Sequence, residues 1–313
     1  MKKIITPLVL SLVLIITGAK AQEGPYLNVY GSYGMPSGSM TDFTADGVEG
    51  NADTLTAQIS GAFDYFDLDV KASTVNDEVV VNSTATTVKI NLGKGLNFGV
   101  AFGYMFNDHV GAELGLGYLL GSKNKFTQTI NDEIDPDNIA NYTLNGEISA
   151  NQFRINPSLV VSTDFKDFVP YAKFGVVLGV GTKITETYSD KKFTGADNVE
   201  QVFESTGGLA FGVSAVLGAV YQFNKKTGLF LEFASTTMSY APKQRELTEY
   251  TVGGDSYMNN LTPYQTSAKL TEYVDSIDEN NIDPVDPTAS TLALKLKYPF
   301  STFAFNLGLR FSF

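Results

Sequence analysis

Cysteine is absent from all 313 residues, which excludes disulfides, thiol-ligated metals and a lipid-anchored lipoprotein. Tryptophan is absent as well, so any interfacial aromatic belt would have to be built from the 16 Tyr and 22 Phe. The one histidine, His109, lies in the short polar link Asn107-Asp108-His109, where a solvated turn residue is the simplest reading. Positive charge is scarce, with 22 Lys and Arg against 34 Asp and Glu and a net charge of −12. That balance disfavours nucleic acid and other polyanions and favours divalent cations or basic partners. Long apolar runs are also missing after residue 16, so no helix that spans a membrane is expected.

The one apolar run is at the start. Met1-Lys2-Lys3 precedes Ile4 to Ile16, and Thr17-Gly18-Ala19-Lys20-Ala21 follows, which is the three-part layout of a secretory signal cleaved after Ala21. Thirteen apolar residues interrupted by Pro7 fall short of the ~20 a spanning helix needs. The expected mature chain, Gln22 to Phe313, has 292 residues in one domain.

Hydrophobic alternation carries the fold. Phe303, Phe305, Leu307, Leu309, Phe311 and Phe313 occupy every second position, and Ala304, Asn306, Gly308, Arg310 and Ser312 fill the gaps. Side chains alternate across a strand, so one face is apolar and the other small or polar. The pattern recurs from Phe98 to Phe106, Val110 to Leu120, Phe153 to Val161, Ala172 to Val180, Leu209 to Phe223 and Leu229 to Phe233, and Leu27, Val29 and Tyr33 start an eighth strand. The opposite faces carry Gly99, Ala101, Gly103, Gly111, Gly115, Gly117, Gly175, Gly179, Gly212 and Gly218. A soluble sandwich would turn long charged side chains outward. Here the second face is too small for a solvated surface and suits the crowded inside of a narrow barrel with lipid around it.

The fold class expected is therefore all-β, an antiparallel up-and-down transmembrane β-barrel of eight strands, with ten possible. Short links alternate with long ones at about 35–94, 122–148, 182–206 and 241–300, which predicts periplasmic turns and termini and extracellular loops. Leu55 to Tyr65 and Val79 to Leu92 alternate inside the first loop and read as strands continuing beyond the membrane. Leu292, Leu294, Leu296 and Tyr298 alternate out of phase with Phe303 onward, which predicts a bulge or break at Pro299.

With the signal, eight strands and a strand ending in terminal Phe, the chain resembles the small outer-membrane barrels of the OmpA/OmpW-like superfamily of Gram-negative bacteria. Phe303, Phe305, Leu307, Leu309, Phe311 and Phe313 are similar to the C-terminal signal read by the barrel-assembly machinery in that class. Two departures stand out. No peptidoglycan-binding domain follows the barrel, and the girdle must use residues such as Tyr104, Tyr118, Tyr221 and Phe311.

The long loops hold 28 acidic and 13 basic residues, and the rest of the mature chain holds six of each. Simple solvation accounts for most such surfaces. Asp132-Glu133-Ile134-Asp135-Pro136-Asp137 and the run from Asp275 to Asp283 cluster oxygen ligands that suit calcium, but neither has the glycine or closing glutamate of an EF-hand loop. On the small-residue face, Glu113, Lys173, Glu232 and Arg310 fall at similar depth, with Arg154 higher on a neighbouring strand. Unpaired charge in so narrow a lumen is expensive, so these five are expected to form a structural hydrogen-bonded network. Val160, Val216, Leu119 and Val220 are expected toward the upper or middle lumen, where they would allow a greasy pocket.

No catalytic set, cofactor or metal is assigned, and no enzyme is expected, because His109 lies in a periplasmic turn, away from any outer-surface chemistry. The leading expectation is a surface barrel anchored in outer-membrane lipid that displays large acidic loops for envelope integrity or partner binding. The alternative is OmpW-like passage or binding of small apolar molecules.

Overall fold

The computed structural model describes residues 24–37, 66–75, 78–132, 142–163, 168–192, 198–261, 266, 269–277 and 291–313. The expected signal peptide lies outside the described residues, as do Leu55 to Tyr65 and most of both acidic stretches.

Eight antiparallel strands close into a ring: β1 (Gly24–Pro36), β2 (Gly95–Met105), β3 (Val110–Gly121), β4 (Tyr142–Ser162), β5 (Phe168–Lys192), β6 (Ala210–Asn224), β7 (Thr227–Tyr240) and β8 (Thr302–Ser312). Each pairs with the next, and β8 returns to β1 with Tyr26 opposite Ser312. Closure leaves the ring without an edge, the condition for a sheet to cross hydrocarbon with its backbone satisfied. The outward positions are large and bare, as with Phe98, Phe102 and Leu217, each more than half exposed. A continuous belt of this kind needs lipid around it. Near the short-turn end the belt turns aromatic, with Tyr104 against Phe106 and Tyr221 against Phe223, ring centroids 5.7 Å apart in both pairs.

The inward glycines make room for neighbouring side chains. A Cβ on Gly103 would come within 2.0 Å of the Tyr26 ring, and one on Gly218 within 2.7 Å of Glu232 and 2.9 Å of Tyr171. The tight links share one device. Asn107 Oδ1 accepts from the amides of His109 and Val110, and Asn224 Oδ1 accepts from those of Lys226 and Thr227, at 2.8–2.9 Å.

At the opposite end β4 and β5 run on well past their neighbours, to 21 and 25 residues. Gly181, at φ +58°, inserts an extra residue opposite the step from Asn151 to Phe153. The bulge reverses the phase of β5, so that Thr182, Ile184 and Glu186 are buried where Val177 was buried below it. A hairpin of Phe66–Val75 and Glu78–Thr87 pairs along Asn124–Asp132 outside the ring, which settles the count at eight strands. Val199–Thr206 and Gln244–Val252 pair with each other, joining the third and fourth long connections in one sheet.

The expected break falls directly after Pro299: the short strand Tyr298–Pro299 pairs with Tyr240 and Ser239, residues 300 and 301 interrupt it, and β8 resumes at Thr302 in the same register, opposite Thr236. Tyr298, Phe300 and Thr302 all point into the lumen and are buried. Their apolar character reflects a lumen that is itself apolar at that end, so what changes is the inner face and not the strand phase.

Candidate functional site

The lumen is layered. At the long-loop end it is filled by a dry cluster in which Ile90, Leu92, Leu119, Tyr240, Tyr298 and Phe300 are each at most 1 % exposed. Ile90 and Leu92 come from the segment before β2, which enters the mouth of the ring. Asn91 pins it there: its Nδ2 donates to the Ser301 carbonyl at 2.8 Å, and its Oδ1 accepts from the Gly93 and Lys94 amides at 2.9 and 3.1 Å. Leu92 N donates to the Pro299 carbonyl at 2.9 Å.

The short-turn end has a second cluster, with Tyr26, Met105, Val160, Val169, Tyr171, Val220 and Phe230. Val160 and Val220 therefore sit here, not in the upper or middle lumen. They are near the ends of β4 and β6, strands that run down toward the tight turns.

Above this floor lies the charge layer. Lys173 Nζ is 2.6 Å from Oε1 of both Glu113 and Glu232. Tyr26 OH and Asn28 Nδ2 donate to Glu113 Oε2 at 2.9 and 3.0 Å. Tyr171 OH donates to Glu232 Oε1 at 2.7 Å, and Asn306 Nδ2 to Oε2 at 2.8 Å. Removing these carboxylates from water is offset by two contacts each beyond the ammonium. Arg310 stands beside the triad without touching a carboxylate. Its Nε donates to Asn28 Oδ1 at 2.9 Å, and its guanidinium lies 4.2 Å from the Tyr26 ring centre and 5.0 Å from that of Tyr171. Arg154 stands apart from all four. Its Nε donates to Gln152 Oε1 at 3.0 Å, and Gln152 in turn donates to Thr182 Oγ1 at 2.9 Å.

A further polar centre, which sequence reasoning missed, lies above the dry cluster. Arg245 donates to Glu186 Oε2 from Nε at 3.0 Å and Nη2 at 2.6 Å, and its guanidinium lies 3.8 Å from the Phe203 ring centre. Burial lowers the Arg245 pKa, but the Glu186 carboxylate outweighs it and holds the guanidinium above its ordinary value. Glu186 is one of the few acidic residues of the long connections that is buried, and only the bulge at Gly181 turns it inward.

His109 stays in its turn, Nδ1 lying 3.3 Å from the Ser162 carbonyl oxygen. Among the described residues no group of three His, Asp or Glu side chains is placed to hold a metal ion. The outward apolar residues of β8, Phe303, Phe305, Leu307 and Leu309, face the belt, and Phe313 lies exposed at the chain end.

The profile of the outer membrane protein beta-barrel domain family matches residues 8–311. No curated protein matches the sequence. Among solved structures, the chain is similar to the outer membrane protease OmpT from Escherichia coli, at 8 % identity and a TM-score of 0.28, over 95 % of this chain and 99 % of that one. This likeness to a protease overturns the expectation that the chain is no enzyme, and that exclusion is withdrawn. A likeness of this size assigns no activity in its place.

Proposed function

Because the chain belongs to the outer membrane protein beta-barrel domain family, we propose that its ring is a closed anchor in outer-membrane lipid that displays acidic strand extensions and loops outside the cell. In this reading the tight turns and both ends of the ring face the periplasm, and the barrel-assembly machinery engages β8. The observation that carries it is the dry cluster at the long-loop end. Side chains of the protein itself occupy the mouth through which a solute would pass, and they also take the place a small apolar ligand would need.

The display half of the reading rests on mass and charge. β4 and β5 rise beyond the ring with Asn124–Asp132 and Val199–Thr206 paired along their outer edges, and the long connections carry 28 acidic residues against 13 basic. Such a surface attracts divalent cations or basic partners and repels nucleic acid. Envelope integrity or partner binding follows from that surface. Planar-bilayer recording of the refolded protein tests the closed anchor, and a silent baseline is expected. Steady single-channel steps would overturn it. Shaving intact cells with a protease tests the orientation, and cleavage confined to the long connections is expected.

A further inference from the structure

The apolar belt is hollowed on the outer face of the β6–β7 hairpin. Ala219 stands there between Leu217 and Tyr221, in register with Leu231 on β7 and Pro170 on β5. The result is a groove of about 490 Å³ with Ala219 as its floor and Phe168, Leu217, Tyr221, Leu231 and Phe233 as its walls. Of the residues that border it Glu232 alone is charged, and its carboxylate turns into the ring and onto Lys173. The space is of the size that holds a small-molecule ligand, for which pockets are about 300–1,000 Å³.

Below the groove the hairpin closes through Asn224-Lys225-Lys226-Thr227. Both lysines are exposed, and among the described residues neither enters an ion pair. This turn carries no acid, whereas the other two tight links carry more acid than base, with Asp108 in one and Asp164, Lys166 and Asp167 in the other. Lys226 and Lys225 lie three and four residues beyond Leu229 and Tyr221, which pair across the hairpin. At about 3.3 Å per residue that is roughly 10 Å along the strands, and less along the membrane normal because the strands tilt. The drop matches a headgroup layer about 5–7 Å deep on each side of the hydrocarbon. Lysine stems lie along apolar surface and carry their ammonium groups to this interface.

We propose that the groove holds one acyl chain of an anionic glycerophospholipid of the periplasmic leaflet, with its phosphate against Lys225 and Lys226. The leaflet rests on the orientation given above, in which the tight turns face the periplasm. A phosphoethanolamine headgroup would bring its own ammonium to the two lysines, so a net negative headgroup is preferred. A second copy of the chain fits less well, because a two-fold contact sets groove against groove and leaves the hollow unfilled.

Native mass spectrometry of the refolded mature protein tests the site, with phosphatidylglycerol and phosphatidylethanolamine of identical chains offered in equal amounts. One retained phosphatidylglycerol per barrel is expected, favoured about tenfold. Lys225→Gln with Lys226→Gln should bring that preference close to unity. Folding, read by heat-sensitive gel mobility, should be unchanged, because Asn224 Oδ1 and the backbone hold the turn. Ala219→Phe fills the groove and should cut retention of both lipids about tenfold. Ala112→Phe, outward on β3 and three strands away, should not. Equal retention of the two lipids overturns the proposal, as does a preference that survives loss of both lysines or is untouched by Ala219→Phe. Lipid-free dimers would assign the groove to a second copy instead. If Ala219→Phe does not fold, the lysine variant decides. Orientation fails separately: cleavage of the tight turns on intact cells, with phosphatidylglycerol still held through the lysines, would overturn the leaflet and leave the groove standing.

Discussion

Lys173 and Glu232 lie on β5 and β7, strands separated by the whole width of β6, and their Nζ and Oε1 atoms are nonetheless 2.6 Å apart. The ion pair spans a chord of the ring and ties together strands that are not neighbours in the sheet. Cutting one partner leaves the other charge buried.

Lys173→Met should therefore destabilise the barrel by about 3–5 kcal/mol, because two carboxylates then face each other without a cation. Chemical unfolding followed by the mobility difference between folded and heated protein on a gel reads this. Replacing the triad together, with Glu113→Gln, Lys173→Met and Glu232→Gln, should recover most of the loss. A triple variant no better than the single one would mean that the packing of the Lys173 stem matters more than its charge.

Gly103 tests packing without charge. Gly103→Ala should cost about 1–3 kcal/mol, since its methyl group would meet the Tyr26 ring. Tyr26→Leu should relieve that clash, so the double variant is expected to lose less than the two single losses added. Strict additivity, measured by the same unfolding assay, would show that ring and methyl group do not compete.

The plug can be opened at one residue. Leu92→Asp places a carboxylate in the dry cluster, where Leu92 is fully buried, and should expel the segment around Asn91 from the mouth. Fluctuating conductance is expected from this variant in a planar bilayer, against a silent wild type. Silence from both would place the seal lower, at the charge layer.

Glu147 gives a pH response outside the membrane. Lys123 and Lys125 donate to its carboxylate and hold its pKa below the ordinary 4.5. A depressed carboxylate stabilises fully above the ordinary value, and that contribution is lost as pH falls through the folded value. Both lysines are largely exposed, so the effect should be only about 0.2–1 kcal/mol. Protection of the amides of the Asn124–Asp132 strand, measured as exchange relative to the unstructured rate at the same pH, should fall below pH 4.5 in the wild type. In Glu147→Gln that protection should already be reduced at neutral pH.

The strands were legible in the sequence because lipid imposes a strict rule on one face, and Phe98, Phe102, Leu217 and Phe305 obey it. The inner face follows no such rule. Tyr298 falls out of phase with Phe303 onward if every apolar residue points outward, but in the mouth of the ring Tyr298 and Phe300 point inward. The depth of Val160 and Val220 was misjudged, although the direction of β4 and β6 was enough to place them. The partners of Arg154 and Arg310 were beyond reach for another reason. Which inward side chains meet depends on the stagger between neighbouring strands, and alternation along one strand carries no information about its offset from the next. The Arg245–Glu186 pair needed the bulge at Gly181, and a lone glycine among many gives little warning of it.

The pairing of Tyr26 with Ser312 joins the first strand of the ring to the last. Few folds have a contact with so large a sequence separation at their centre. No prefix of the chain can reach the native state, because until the final residues are made β1 has an open edge and the apolar belt has no lipid. Such a molecule cannot fold as it is synthesised. It has to travel as an unfolded polymer and be held from aggregation on the way, and it gains its stability in one late step at the membrane.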